Sequence, residues 1–306
     1  MKKNIFSFCF LSFSFFAHAF SFSIAPKLSY NTELRTDCIY DGSNLNSKLE
    51  WNSFYQFKAG FQTDFSFGKL DISNTTLFNL PLKNGLQYDS DWRTQGIKTN
   101  YSTGDLYSGL GFDFNLEIKY FFQFPYDFEI CPVFSVTNSY VSLRAKNIYC
   151  WCGDIAHTGL SENYPWNSEY ARRVKKYGID LYNNITSVFI GAEFKKSFSS
   201  FFIDFKACFS PYTFIFSIDH HLNKEEGHYY QMIQEAIFKV CDFSLSGGFY
   251  LNKKSTLNIC TNFSFCPEVY GDLYYGYFKI DNIIADETCS FLFSKFSVSL
   301  GWTFSI

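Results

Sequence analysis

Apolar and polar residues alternate along most of this chain. From Leu106 the even positions read Leu106, Leu110, Phe112, Phe114, Leu116, Ile118 and Tyr120, and the odd positions among them include Gly109, Gly111, Asp113, Asn115, Glu117 and Lys119. The same two-residue period runs through Trp51, Tyr55, Phe57, Ala59, Phe61 and Phe65, through Phe201, Ile203, Phe205, Ala207 and Phe209, and through Phe296, Val298, Leu300, Trp302 and Phe304. Successive side chains of a strand point to opposite faces, so each segment carries one greasy face and one polar face. Counting such segments predicts about ten strands, near 24–36, 51–67, 70–82, 106–123, 127–146, 179–197, 201–217, 232–250, 255–270 and 289–304. Tight turns are expected at Gly68-Lys69, around Pro125-Tyr126, at Phe198-Ser199-Ser200 and at Asn252-Lys253-Lys254, and long polar loops near 37–50, 83–105, 147–178, 218–232 and 271–288. An even number of long strands, with short turns on one side and long loops on the other, predicts an all-β fold. We read it as an antiparallel transmembrane β-barrel with periplasmic turns and extracellular loops.

Composition sharpens this picture. Aromatic residues make up 22% of the chain, with 40 Phe and 22 Tyr, yet the mean hydropathy is close to neutral. Even dilution of apolar by polar residues is what alternating strands produce. Met1-Lys2-Lys3, an apolar run from Ile5 to Phe16 and Ala17-His18-Ala19 have the form of a secretory signal, so residues 1–19 are expected to be a signal peptide and 20–306 a single barrel domain. The net charge of −3 comes without a basic tail or patch, which argues against nucleic acid. The chain has ten cysteines, nine once Cys9 is set aside, and an odd number does not make a disulfide framework. A bridge among Cys38, Cys150, Cys152 and Cys289 stays open. Cys150-Trp151-Cys152 is too tight for a usual zinc spacing, so neither metal nor cofactor is expected.

Two short motifs carry candidate chemistry. Asp89-Ser90-Asp91 follows the third expected strand and Asp219-His220-His221 the seventh. In extended backbone Asp89 and Asp91 share a face, as do Asp219 and His221. Two carboxylates on one wall and an Asp–His pair on another suffice to hold and activate a water molecule. Both motifs fall on the long-loop side, on strands roughly opposite one another in a ten-strand ring. His220, the rival base, would point away from Asp219.

With these motifs in this order, the chain resembles the omptin family of outer-membrane proteases. Leu49-Glu50-Trp51 and Gly301-Trp302-Thr303-Phe304 also look like that family. The resemblance implies an endopeptidase of aspartic type that hydrolyses polypeptides at the outer face of the outer membrane. Asp89 and Asp91 would be its aspartate couple and Asp219 with His221 its dyad. It also implies cleavage beside basic residues, although the acidic residue expected two positions before the dyad aspartate is Ser217 here. Glu33 and Asp37 are the nearest candidates for its partner acid. The lipopolysaccharide-binding pattern of the family is missing around 134–139 and 183–187, so a need for that lipid is not carried over. A closed barrel needs no second copy to satisfy its backbone, which favours a monomer. The competing reading is an inactive barrel of the same kind that serves as an adhesin. A third, a passive pore, is disfavoured because Asp113, Glu117, Lys119, Asp204 and Lys206 would fill the lumen with paired charge.

Overall fold

A computed structural model of the protein describes residues 20–176, 178–222, 228–277 and 280–305. The proposed signal segment, 1–19, lies outside the described residues. Strands β1 (Phe20–Asp41), β2 (Asn44–Phe67), β3 (Leu70–Leu80), β4 (Leu82–Asp91), β5 (Asn100–Tyr120), β6 (Phe122–Phe124) and β7 (Phe128–Cys152) lead to a one-turn helix, α1 (Ile155–Thr158). Then follow β8 (Arg172–Lys175), β9 (Ile179–Ser197), β10 (Phe201–His221), β11 (His228–Ala236), β12 (Val240–Asn252), β13 (Ser255–Tyr277) and β14 (Ile280–Ser305). All fourteen belong to one sheet. Taking β3 with β4, β5 with β6 and β11 with β12 as single runs, and setting the short β8 aside, ten runs circle the ring. The ring closes through antiparallel pairing of β1 with β14, from Ser23 opposite Ser305 to Tyr40 opposite Thr288. Closure leaves no free edge, as a bilayer requires.

The outer surface carries exposed Leu28, Phe61, Phe78, Leu110, Phe205 and Leu300 in a belt around the lower half. Inside the belt the lumen is filled with ion pairs. Asp113 accepts from Lys58 at 2.6 Å and Lys295 at 3.1 Å, Glu117 from Lys206 at 2.6 Å, and Glu193 from Lys119 at 3.0 Å. The tight turns all lie at one end: Gly68 adopts φ 62°, and Tyr126 and Asp127 also take left-handed conformations.

At the other end the expected loops are largely strand. Residues 37–50 form a hairpin closed by Gly42-Ser43, with Gly42 at φ 58°, and 83–91 extend as β4. The alternation lapses there because a strand that has left hydrocarbon no longer needs an apolar face, while its ladder of hydrogen bonds continues. Four bulges mark the transition. β2 fits residues 52–53 opposite one residue of β1, β5 fits 109–110 opposite one of β7, β10 fits 210–211 opposite one of β9, and β13 fits 267–268 opposite one of β14. An extra residue reverses which side chains face in. Trp51 and Leu106, grouped by alternation with outward residues, are therefore fully buried inside, whereas Tyr55 and Leu110 face out. Trp51, Phe54, Leu106, Leu143 and Leu181 belong to a dry cluster inside the upper barrel.

Candidate active site

Asp89 and Asp91 sit on β4 itself, not in a loop beyond it, and Asp219 and His221 on the last residues of β10. Each pair faces the lumen. For β10 this depends on the bulge: below it Phe205 and Phe209 face out at odd positions, while above it Thr213, Ile215, Ser217 and Asp219 are buried at odd positions. On the opposite wall Phe78, Leu80 and Leu86 face out at even positions and Gln87 is buried, so the same face is kept on both sides of the slip that β4 makes against β5 between Lys83 and Gly85.

The four side chains line one cavity of about 310 Å³ above the apolar belt. Leu49, Ile148 and Ile179, the top of the dry cluster, line its lower part. The imidazole of His221 meets Asp219 at 3.2 Å between Nε2 and Oδ2, and the edge of Tyr230 packs on the same ring with centroids 5.3 Å apart. His220 does not line the cavity. On the facing wall Ser102 donates to Asp89 Oδ2 at 3.3 Å and Arg93 lies 3.7 Å from Asp91. Burial and then the Asp91 charge push the Asp89 carboxyl up to about 7, while Lys176 and His221 pull the other way. Asp89 therefore titrates near neutral pH. Burial, followed by the charge of Asp219, raises the Tyr230 phenol to about 12, so it keeps its proton.

Asp37 is the fourth acid in the cavity. It lies on β1 opposite Leu49, which in turn lies opposite Asp89, so the three form one row across β1, β2 and β4. Neither carboxylate oxygen forms a hydrogen bond among the described residues; the Trp51 indole faces it outside bonding geometry. Burial, then the charge of Asp219, pushes its carboxyl up to about 7 despite Arg35. Of the two acids considered for this end of β1, Glu33 is instead bound to Arg35 at 2.5 Å lower in the lumen. Ser217 accepts from Asn183 Nδ2 at 2.6 Å, and Asn183 in turn accepts from Arg35.

Comparison with known proteins addresses the fold. No family model matches the chain, and no curated protein sequence matches it. Solved structures do. The outer-membrane protease OmpT from Escherichia coli superposes with a TM-score of 0.80 over 94% of this chain and 97% of that one, at 13% identity. The outer-membrane protein OprG from Pseudomonas aeruginosa aligns over 94% of this chain and 96% of its own, at 8% identity and a TM-score of 0.35. The translocator domain of the autotransporter NalP from Neisseria meningitidis aligns over 93% and 88%, at 8% identity and 0.31. The chain has the fold of an outer-membrane β-barrel. At such identities the likeness establishes the fold and leaves the chemistry to the site.

The barrel also gathers residues that the motif reading missed. Arg93, His157 and Lys176 line the cavity on the Asp-couple side. His157 belongs to a second Asp–His pair: Asp154 caps α1, accepts from the His157 backbone N–H at 2.9 Å and meets its Nδ1 at 2.6 Å. The Asp-x-x-His spacing at the start of a helical turn was its only sequence signal. Among the described residues no group of three or more His, Cys, Asp or Glu is arranged to hold a metal ion. The nine cysteines from Cys38 to Cys289 are free thiols, so the bridge left open among Cys38, Cys150, Cys152 and Cys289 does not form.

Proposed function

We propose that the protein is an outer-membrane endopeptidase with its site facing the exterior, acting on polypeptides that enter the barrel mouth. The observation that carries this reading is the meeting of Asp89 and Asp91 with a bonded Asp219–His221 pair across one cavity. A water held between the walls loses a proton to His221, whose ring is held by Asp219. The water oxygen bonds to the scissile carbonyl carbon and the C=O π pair moves to oxygen. On collapse the C–N bond breaks, the nitrogen takes the proton from His221, and an acid and an amine leave. Asp219 stabilises the imidazolium in between, and Asp89 and Asp91 grip the water. No acyl-enzyme is needed.

Asp37 extends the reading to the side chain before the cut. A buried, unbonded carboxylate walled by Met232, Tyr230 and Tyr275 suits a cationic side chain that brings its own donors. With Ser217 in place of a second acid, selection rests on Asp37, and preference for Lys or Arg is weaker than two acids would give.

The test is incubation of the refolded barrel with a peptide library, with cleavage read by mass spectrometry, with and without lipopolysaccharide. Cleavage that both Asp91→Ala and His221→Ala abolish supports the reading. A well-folded barrel that cuts nothing under either condition overturns it in favour of a binding protein.

A further inference from the structure

Lys176 stands beside the Asp couple and belongs to neither motif. Its backbone N–H donates to Ile148 O at 2.9 Å, which ties the residue to β7 just below Cys150. Its side chain lines the cavity together with Asp89, Asp91, Asp219 and His221. Burial alone would lower its pKa, but the neighbouring carboxylates, Asp89 before Asp91, act the other way and hold it above the usual lysine value. It is therefore an ammonium ion at every pH where the dyad works.

What marks Lys176 out is what its ammonium does not do. The other cations in or beneath the site are engaged: Arg93 with Asp91 at 3.7 Å and Arg35 with Glu33 at 2.5 Å. Lys176 faces two carboxylates, yet among the described residues it makes neither an ion pair within 4 Å nor a side-chain hydrogen bond. Three N–H donors on a half-buried cation are thus aimed into the space where a bound peptide would react. Keeping such a group unbonded is costly unless something arrives to complete it. Peptide hydrolysis supplies that partner. When water adds to the carbonyl carbon, a full negative charge develops on the carbonyl oxygen, and a preorganised cationic donor in a cavity shielded from water stabilises it most.

The geometry points to Lys176 as a further catalytic residue, the donor to the oxyanion of the tetrahedral intermediate. This inference rests on the peptidase reading. It divides the labour of the site: Asp219 and His221 move the proton, Asp89 and Asp91 hold the water, and Lys176 donates a hydrogen bond to the carbonyl oxygen as the C=O π pair moves onto it. The pair returns on collapse, so the ammonium keeps its three protons throughout.

The experiment compares Lys176→Met and Lys176→Arg with the wild-type barrel on a peptide it cleaves, and measures binding of a peptidyl phosphinate, whose tetrahedral oxyanion mimics the intermediate. Lys176→Gln replaces Lys176→Met if the latter does not refold, judged by heat-modifiable gel mobility. The expected result is a fall in kcat of about 100- to 1000-fold with KM changed less than about threefold. Phosphinate affinity should fall in parallel, and Lys176→Arg should recover part of both. Turnover and phosphinate affinity within about threefold of wild type for the uncharged variant would overturn the assignment while leaving the peptidase reading intact. Absence of cleavage by the wild-type barrel would overturn both. A loss that falls on KM, with phosphinate and uncleaved peptide weakened alike, would make Lys176 a substrate-binding group and refute the assignment as well.

Discussion

In the lower half of the barrel, phenylalanines face out and ion pairs face in; in the upper half the interior passes from a dry cluster to a cavity whose charges are left partly unbonded. Below, Asp113 has two lysines and Glu117 has two, and every carboxylate named there is matched by a cation. Above, Asp37 has no hydrogen bond, Asp219 Oδ1 none, and Lys176 no ion pair among the described residues. The two halves share strands, so the difference lies in what each is for. Paired charge in a lumen costs desolvation and returns little beyond a filled, rigid interior. Unpaired charge around a cavity stores that cost for a ligand to relieve.

The sharpest way to break the contrast is to remove the boundary between the halves. Deleting Pro211 takes one of the two residues that β10 sets against one of β9. Asp219 and His221 would then turn outward, and cleavage should vanish even in protein that assembles into a barrel, read on the peptide substrate. Next comes the chemistry of the upper half alone. His221→Ala should lower kcat/KM by about 10²- to 10⁴-fold without moving thermal stability in detergent. The lower half should behave in reverse. Asp113→Asn leaves Lys58 and Lys295 facing each other in the lumen and should cost about 3–5 kcal/mol in urea or thermal unfolding, with turnover per folded molecule unchanged.

A smaller effect concerns pH. Asp37 has a folded-state pKa raised to about 7 from an ordinary value near 3.8. Its neutral form is the one the fold favours, so stability is fullest below about pH 4 and declines as pH rises through about 7. Asp37→Asn should flatten that part of the stability profile and also reduce any preference for Lys or Arg before the cut. The smallest effect is expected on the outer wall. Lys98 lies over the rings of Tyr101, Trp92 and Trp166, at 4.5 Å from the nearest centroid. Lys98→Ala should cost about 1 kcal/mol or less and leave cleavage untouched.

The lower half was legible in the sequence because a bilayer imposes a strict two-residue period, and turns such as Gly68-Lys69 interrupt it cleanly. The upper half was not. Segments such as 37–50 and 83–91 are strands whose outward side chains meet water, and without an apolar face they read as loop. Asp89 with Asp91 and Asp219 with His221 were visible because each pair lies two residues apart along one strand. Asp37, Arg93, His157 and Lys176 come to the same cavity from β1, from beyond β4, from α1 and from the end of β8. No local spacing joins residues so far apart; only ring closure does. The bulges were hidden for a related reason: Leu106 falls in phase with Leu110 to Tyr120, and only Tyr107 at an odd position and Ser108 at an even one hint at the slip at 109–110.

Those slips give the molecule something like a reading frame in space. Each strand spells two messages, one on its odd residues and one on its even residues, and a single extra residue exchanges them from that point to the tip. β10 says one thing to the membrane as far as Phe209 and another to the cavity from Thr213 onward. A one-residue insertion or deletion anywhere between the bulge and His221 would therefore act as a frameshift, leaving every residue of the dyad present and none of them indoors. Substitutions in that stretch are mild by comparison, so variation along the upper part of β10 is expected to keep its length before it keeps its letters.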